Sequence, residues 1–430
     1  MDARCQRLPP ELVHNVLEDL DKPSLATCTL VSRDFMELAR PCLFRNIIWN
    51  FCRSPGPQSD ASGAPARLQQ HHLPERFPLL ADFLESQPKI ASYVRRVKLC
   101  MIGDERFYSF VVFLRILRRL PRLHALTLVG IPDEGPGYIF PDPRETVSVP
   151  LLPSLHTLKF TDTFMRQPND INYILCLFGS IEHLIFTDYY GYDKEDDSVS
   201  DLPYPRLGLL ELNDHFAIAD LIPWMQPQQI HKLKIPLPPS PPGLYVVQEA
   251  ITKLGGALHH VHFTFAPRGT FYARQNAQAH AMEQDFFDLS STTSLESIVL
   301  PLLICRTASG EPQVAATTLI HQDTYNTIIA TLATAARSLR KITVELYVAF
   351  LADSWERSSR AGREELVVIR EEASLRELRH LGELEEVCLR MALRTLEVRA
   401  APGSRLSERE KEGFREGLPR PLERGVLRFS

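Results

Sequence analysis

A six-residue pattern recurs along most of this chain, with apolar residues at its first, fourth and sixth positions. Strand side chains alternate between the two faces of a sheet, so the fourth and sixth residues point one way and the fifth points the other. Segments with the apolar spacing of a helix separate the copies, and each copy therefore predicts a strand followed by a helix. One such unit cannot bury its own apolar face, but a stack of units buries a continuous core. We count about ten copies, at residues 94–99, 123–128, 155–160, 181–186, 207–212, 230–235, 258–263, 295–300, 339–344 and 384–389.

The strand pattern resembles that of leucine-rich repeats. This resemblance implies a solenoid with parallel strands on the concave side and helices on the convex side. The Asn or Cys that usually follows the strand is present once, as Asn213, and Pro-rich insertions interrupt the repeats at residues 132–150 and 236–243. We therefore predict an α/β fold with an irregular leucine-rich-repeat-like solenoid, which residues 426–429 extend by a last short strand. The alternative is an irregular α/β domain whose strands share the pattern by chance.

Three short helices are predicted in close succession between residues 8 and 49. The first spans about residues 10–20 and carries one apolar stripe. Asp21 or Lys22 is expected at the cap of the second helix and Ser32 at that of the third, where a side chain can accept hydrogen bonds from the first backbone N–H groups. About 40 residues are too few to bury this much apolar surface. Part of it is therefore expected to contact another protein.

The same stretch resembles an F-box. The resemblance implies docking on the Skp-type adaptor of a cullin–RING ubiquitin ligase, with a protein substrate held by the repeats. A plain three-helix cap on a larger domain is the alternative. The resemblance rests on the order and spacing of Leu8-Pro9-Pro10-Glu11-Leu12, Val16-Leu17, Leu20, Leu25, Leu30-Val31-Ser32-Arg33, Phe35, Leu38-Ala39, Leu43-Phe44 and Trp49. The resemblance implies that nine residues lie at the adaptor face or in the core beneath it: Leu8, Pro9, Leu12, Val16, Leu17, Leu20, Leu25, Leu30 and Val31.

An N-terminal F-box followed by degenerate repeats is similar to the large F-box families of mushroom-forming fungi. Within the F-box, Leu8 and Pro9 are expected to touch the adaptor, whereas Phe35, Leu38 and Leu43 are expected to hold the helices together. We expect three segments in the chain: an F-box-like three-helix domain at residues 1–52, a flexible Pro-, Gly- and Ser-rich linker at residues 53–78, and a leucine-rich-repeat-like substrate-binding domain at residues 79–430.

Composition argues against several classes of protein. A net charge of −5 gives no overall attraction to nucleic acid or to a membrane surface. No apolar run reaches the length of about 18 residues that a membrane-spanning helix needs. The eight cysteines are scattered singly, which favours free thiols and a cytoplasmic or nuclear location. Because phosphate-binding and nucleophile motifs are also missing, we expect no catalytic residue, no metal and no cofactor.

The fifth residue of each copy is expected to face the concave side and to form a row across the sheet. From this row we take Lys98, Lys159, Lys234 and His262 as candidate substrate-binding residues, and an acidic or phosphorylated protein segment would suit them. The complete row comprises Lys98, Thr127, Lys159, Ile185, Glu211, Lys234, His262, Val299, Thr343 and Cys388. Several histidines also recur at matching positions, which repeat register explains without a metal. His260 and His262 share a strand face but lack a third ligand.

Three functions of different classes remain open. The chain is a substrate receptor of a ubiquitin ligase, a repeat scaffold that uses the three helices only as a cap, or an enzyme with a site built across the repeats. Binding to the adaptor separates the first from the second. A deep pocket lined by His260, His262 and a carboxylate would favour the third.

Overall fold

The computed structural model describes residues 9–50, 76–100, 110–130, 150–165, 168–191, 205–213, 218, 230–237, 241–265, 287–307, 318–335, 337–351, 375–377, 381–391, 393–402 and 404–430. The chain divides into two compact units, Met1–Leu207 and Gly208–Ser430. No helix in the described part is long and apolar enough to cross a membrane. The predicted linker at residues 53–78 lies outside the described residues as far as residue 75, and a helix begins at Arg76.

The N-terminal helices of the first unit begin where their capping residues predict. The Asp21 carboxylate accepts a hydrogen bond from Ser24 N at 2.9 Å, and the Ser32 hydroxyl accepts one from Phe35 N at 3.2 Å. Both side chains thus satisfy a backbone donor at a helix start. The helices of this unit are α1 (Pro10–Glu18), α2 (Lys22–Val31), α3 (Arg33–Phe44), α4 (Arg76–Ser86), α5 (Pro88–Ala91), α6 (Phe110–Arg118) and α7 (Pro168–Leu175).

Five strands of the first unit lie side by side in chain order, and the pairings described among them are parallel. Lys98 is in register with Thr127, and Thr127 with Lys159. The fifth residues of successive copies therefore form a row, as predicted. The first strand was not predicted from the sequence. The strands are β1 (Asn46–Asn50), β2 (Arg96–Cys100), β3 (Ala125–Val129), β4 (Leu155–Met165) and β5 (Ser180–Gly191).

The second unit contains a further parallel series, together with two antiparallel strands that were not predicted. The parallel series runs β6-β7-β8-β9-β11-β13-β14, and β10 pairs antiparallel with β9 and with β12. Its strands are β6 (Arg206–Leu212), β7 (Lys232–Leu237), β8 (His260–Phe265), β9 (Ser297–Thr307), β10 (Thr318–His321), β11 (Lys341–Leu351), β12 (Leu375–Glu377), β13 (Thr395–Ala400) and β14 (Leu427–Phe429). Its helices are α8 (Pro241–Leu254), α9 (Gln322–Thr334), α10 (Gly382–Arg390), α11 (Glu408–Gly417) and α12 (Pro419–Glu423).

The apolar positions of the six-residue pattern form the core of each unit. In β3, Leu126 and Leu128 are buried, whereas Thr127 between them is only half-buried. Phe160 and Phe186 occupy matching positions on β4 and β5, and their rings stack with centroids 4.9 Å apart. This alternation is what a half-buried strand requires. The predicted α/β architecture, with an N-terminal helical region and parallel strands, is confirmed.

The tenth predicted strand is wrong. Residues 384–389 lie in α10, where Leu384, Val387 and Cys388 are buried on one helix face. The first and fourth positions of the pattern are also one helical turn apart, so this short apolar run fits either structure. The strand lies at Thr395–Ala400 instead, and a further copy of the pattern, at residues 393–398, had been overlooked.

Substitution of Gly179 tests how closely the backbone packs in the turn that leads into β5. Its N–H donates a 3.0 Å hydrogen bond to the Leu152 carbonyl, and a Cβ placed on it would lie 2.7 Å from the carbonyl oxygen of Pro153. Because backbone must shift to relieve this clash, Gly179→Ala should lower the free energy of unfolding by about 1–3 kcal/mol in urea titrations. Gly382→Ala is the control: a Cβ there meets nothing within 4 Å at the start of α10. It should change stability by no more than about 1 kcal/mol, and in the favourable direction. Equal urea midpoints for the two variants would contradict the described turn.

Candidate docking surfaces

The three N-terminal helices share a small core of their own. Leu17 of α1, Leu25 of α2 and Ala39 of α3 are buried together. Packed against them, and partly buried, are Val13, Leu20, Cys28, Leu38, Cys42 and Leu43. Of the nine residues predicted at the adaptor face and its core, Leu17 and Leu25 are therefore structural, and Leu20 supports them from the edge.

Five large apolar side chains of the same helices face solvent. Leu12 and Val16 lie one turn apart on α1 and are 52% and 60% exposed. Leu30 and Val31 end α2 and are 85% and 65% exposed, and Phe35 in the first turn of α3 is 37% exposed. We call these five residues the apolar docking surface. Phe35 had been expected to hold the helices together with Leu38 and Leu43, but it lies at the surface. Exposed large apolar side chains on neighbouring helices suit contact with another protein.

The remaining two predicted adaptor-binding residues precede α1. Leu8 lies outside the described residues. Pro9 is exposed, and its carbonyl accepts hydrogen bonds from Leu12 N at 3.0 Å and Val13 N at 3.2 Å. Pro9 therefore starts the first helix through its backbone and leaves its ring available for contacts.

Backbone hydrogen bonds and an ion pair join these helices to the sheet of the first unit. Arg45 directly follows α3, and its carbonyl accepts hydrogen bonds from Arg95 N at 2.8 Å and Arg96 N at 3.0 Å. Lys89 on α5 pairs with Glu37 on α3 at 2.7 Å. Strand β1 follows directly, and five of its residues pair in parallel register with residues of β2. The apolar docking surface is thus fixed to a sheet rather than connected to it through a loop.

The predicted substrate-binding row falls into two parts, one in each unit. Lys98 and Lys159 lie in the first unit, on β2 and β4, and are separated in their row by Thr127. In the second unit, Lys234 and His262 are register partners on β7 and β8. The row of the second unit comprises Glu211, Lys234, His262, Val299, Thr343, Glu397 and Arg428. Glu397 thus takes the place predicted for Cys388, which is buried in α10.

A buried carboxylate organises the central strands of the second unit. The side chain of Glu345 is only 3% exposed, and its Oε1 lies 3.0 Å from Arg399 Nη2. Its other oxygen lies 3.2 Å from His262 Nε2 and accepts a 3.0 Å hydrogen bond from the Tyr347 hydroxyl. Burial alone would raise the pKa of Glu345, but the His262 hydrogen bond and the Arg399 charge outweigh it and hold that pKa below its usual value.

Sequence reasoning missed Glu345, Arg399 and Tyr347 because they lie just past the six-residue pattern. Thr343 is the fifth residue of its copy, and a strand that continues alternating would place Glu345 and Tyr347 on the same face. Strand β11 does continue, as far as Leu351. Glu345 and Tyr347 could therefore have been found by extending the strand alternation beyond the last apolar residue of the pattern.

The recurring histidines contact one another and nearby polar groups. His124 and His156 stack with ring centroids 4.3 Å apart, and His156 pairs with Glu182. His260 Nδ1 lies 2.7 Å from the Ser297 hydroxyl. Over the described ranges of the chain, no group of three or more His, Cys, Asp or Glu residues could hold a metal ion. His262 and His260 have different partners and do not form one site.

Neighbouring residues of α1 provide a matched test of the division between core and surface. Leu17 is 1% exposed and Val16 is 60% exposed. Leu17→Ala should lower the free energy of unfolding by about 3 kcal/mol, because it leaves a cavity between the helices. Val16→Ala should change it by less than about 0.5 kcal/mol. Urea titration of the full chain measures both, and similar losses would contradict the assignment of Val16 to the surface.

Substitution of Arg399 tests how much its charge stabilises the buried carboxylate of Glu345. Arg399→Met should lower the free energy of unfolding at pH 7 by about 2–3 kcal/mol, because Glu345 keeps its burial but loses a charged partner. A depressed carboxyl pKa adds stability above the ordinary value of about 4.3, and this stability is lost as pH falls through the folded-state pKa. The difference between wild type and Arg399→Met should therefore shrink below about pH 4.

A surface ion pair of the same unit is the control for that experiment. Lys411 and Glu408 are 2.6 Å apart on α11, with the Glu408 side chain 78% exposed. Lys411→Met should leave the unfolding free energy almost unchanged at either pH, because solvent screens an exposed ion pair. A pH-independent loss in Arg399→Met would mean that lost packing, and not the charge on Glu345, explains the effect.

Comparison with known proteins agrees with the geometry of the N-terminal helices. Residues 5–48 match a family model described as F-box-like. This range contains α1, α2 and α3, all five residues of the apolar docking surface, and the start of β1. No curated protein matches the chain. The chain therefore carries an F-box-like domain at its N-terminus, followed by parallel-strand α/β structure.

Proposed function

We propose that this chain is the substrate-recognition subunit of an SCF-type cullin–RING ubiquitin ligase. One observation carries the proposal: the residues that match the F-box-like family are those whose helices leave Leu12, Val16, Leu30, Val31 and Phe35 exposed. F-box domains generally bind Skp-type adaptors. An exposed apolar surface on a domain of this family suits that partner, because binding would remove the surface from water.

The strand-bearing part of the chain is the proposed substrate-binding region. We propose that its strands form an irregular leucine-rich-repeat-like solenoid, of the kind that follows the F-box in the large families of mushroom-forming fungi. The parallel register of β2 to β5, and that of β6 to β9, supports this architecture. The side chains between the buried pattern positions then provide the substrate surface, and Lys98, Lys159, Lys234 and His262 are its proposed contacts.

In this role the chain is not an enzyme and contributes no catalytic group, metal or cofactor. It would hold a substrate within reach of the ubiquitin-conjugating partner of the ligase, and the gain in rate would come from proximity and orientation. Such a gain needs a defined geometry between adaptor and substrate. The pairing of β1 with β2 supports this requirement within the first unit. The proposed place of action is the cytoplasm or the nucleus.

A repeat scaffold without a ligase partner is the second candidate. One observation favours it: β1 pairs with β2 along that strand, and the Arg45 carbonyl between α3 and β1 accepts a hydrogen bond from Arg96 N of β2. In this role the three helices and β1 would act together as a cap on the sheet. Deleting residues 1–50 would expose the edge of β2, so substitutions in the full chain discriminate better than truncation does.

Capture of a purified Skp-type adaptor by the full chain tests the proposal. The double variants Leu12→Asp/Val16→Asp and Leu30→Asp/Val31→Asp should each weaken binding by about 2 kcal/mol or more, because charges would be buried in an apolar interface. Both variants replace exposed residues, so the unfolding free energy of the chain should change little.

The control for adaptor capture replaces equally exposed apolar residues elsewhere in the first unit. Leu79 on α4 and Val111 on α6 are 54% and 58% exposed. The double variant Leu79→Asp/Val111→Asp should bind the adaptor as wild type does. Undiminished adaptor binding by both N-terminal variants would contradict the proposed interface. Failure of the wild type to bind the adaptor would favour the repeat-scaffold function.

A further inference from the structure

Two rows of side chains cross the strands of the first unit on the face opposite its core. Pairing in register along β1 to β5 defines both rows. The first row comprises Ile48, Lys98, Thr127, Lys159 and Ile185, and the second comprises Asn46, Arg96, Ala125, Thr157 and His183. None of these ten residues is acidic. We call this surface the basic sheet face.

Three side chains give the basic sheet face its positive charge. Arg96 and Lys98 are exposed and Lys159 is half-buried. Within the described part of the chain, none of the three has a carboxylate within ion-pair distance or a side-chain hydrogen bond. Burial lowers the pKa of His124, the charges of His156 and Arg96 lower it further, and the charge of Glu182 opposes them.

The corresponding face of the second unit is arranged differently. Its central strands pair their charges internally: Lys234 with Glu211 at 2.8 Å, and Lys341 with Glu397 at 2.5 Å. Glu345 is neutralised by the contacts described above. An incoming anion would have to displace existing partners at Lys234 and Lys341. On the basic sheet face, by contrast, it would meet three cations that have no carboxylate partner among the described residues, and charge complementarity therefore favours the first unit.

We propose that the basic sheet face binds an extended Asp- and Glu-rich segment of a protein substrate. The inference rests on the proposed function, because it specifies the substrate chemistry that the receptor would hold. Lys98 and Lys159 lie two strands apart, which separates their Cα atoms by about 10 Å. An extended chain in the polyproline II conformation has three residues per turn and rises about 3.1 Å per residue, so side chains three positions apart lie on one face about 9 Å apart. Acidic residues at that spacing would therefore reach both lysines, and Ile48, 59% exposed at the end of the row, offers an apolar contact beyond them.

The arrangement of these cations suits separate carboxylates better than a phosphate group. Proteins recognise phosphate through converging Arg side chains or backbone N–H groups. Here a single Arg and two Lys are spread over β2 and β4, and each Lys acts as a point charge on a flexible stem. Single-stranded nucleic acid needs aromatic platforms for its bases, and none of the ten residues in the two rows is Phe, Tyr or Trp.

Fluorescence anisotropy with the full chain and four labelled probes tests the inference. The probes are a peptide of about 12 residues with Asp at every third position, the same peptide with Asn, the same peptide with phosphoserine, and an oligouridine of similar length. The Asp peptide should bind, and added salt should weaken it. Lys98→Gln/Lys159→Gln should raise its dissociation constant about tenfold, and Lys98→Glu/Lys159→Glu should raise it further.

The matched control makes the same change in charge elsewhere in the first unit. Arg118 at the end of α6 and Arg122 in the turn after it are exposed cations that, among the described residues, have no ion pair. Arg118→Glu/Arg122→Glu should change the dissociation constant of the Asp peptide less than about twofold, because neither residue belongs to the two rows and screening weakens the effect of charges outside the site. An equal loss in this control would show a general charge effect and overturn the site.

Further outcomes test the chemistry of the ligand and separate this inference from the proposed ligase role. Equal binding of the Asp and Asn peptides, or tighter binding of the phosphoserine peptide or of oligouridine at the same lysines, would overturn the proposed ligand. Adaptor capture is measured on the same preparations. Retained adaptor binding without binding of the Asp peptide defeats this inference alone. Binding of the Asp peptide without adaptor binding defeats the ligase role and leaves an acidic-segment scaffold.

Discussion

The parallel pairing of β1 with β2 is the interaction on which the first unit depends. Helix α3 ends at Phe44, and the Arg45 carbonyl already bonds to the strand that opens the repeats. Lys22 reinforces the junction by donating from Nζ to the Asn46 carbonyl at 2.8 Å. These bonds attach the helices directly to the sheet within this unit. The apolar docking surface and the basic sheet face therefore belong to one compact unit.

Strand register determines the chemistry of the sheets as well as their cores. Glu345 and Arg399 are direct register partners on β11 and β13, and their ion pair follows from the pairing of those strands. Cross-strand neighbours lie close enough for side chains to interact. A shift of one residue would separate Glu345 from Arg399 and turn Val344 away from the apolar core. The buried positions and the charge pairs thus specify the same register, and each supports the other.

The fold could be predicted from the sequence wherever a local pattern has only one structural meaning. Asp21 and Ser32 cap helices for reasons contained within four residues, and both predictions hold. Residues 384–389 fit a strand and a helix equally well, and the buried stripe of Leu384, Val387 and Cys388 was decided by tertiary packing. Strand β1 was overlooked although residues 44–49 carry a complete copy of the pattern, because these residues were interpreted as the end of the F-box stretch.

The candidate surfaces show the same limit. The F-box resemblance gathered Leu17 and Val16 into one set, although one is buried and the other exposed, because a one-dimensional motif does not separate a core from the face above it. Lys98 and Lys234 likewise occupy equivalent pattern positions. Only the second has a carboxylate at 2.8 Å, and that neighbour is supplied by a different strand. Spatial neighbours, rather than residue type, decide which lysine is available to a ligand.

The two surfaces of the first unit suit the two partners that the proposed function requires. An apolar surface gains affinity from burial alone and discriminates weakly among ligands of similar shape. That is acceptable for an adaptor, since many receptors must fit it. Unpaired charges contribute less to affinity but reject ligands that carry the wrong charge. A substrate receptor needs this selectivity. Under the proposed function, Leu30 and Val31 at the end of α2 therefore suit an adaptor that binds by apolar burial. Lys98 and Lys159 on the sheet suit a substrate that is selected by its charge.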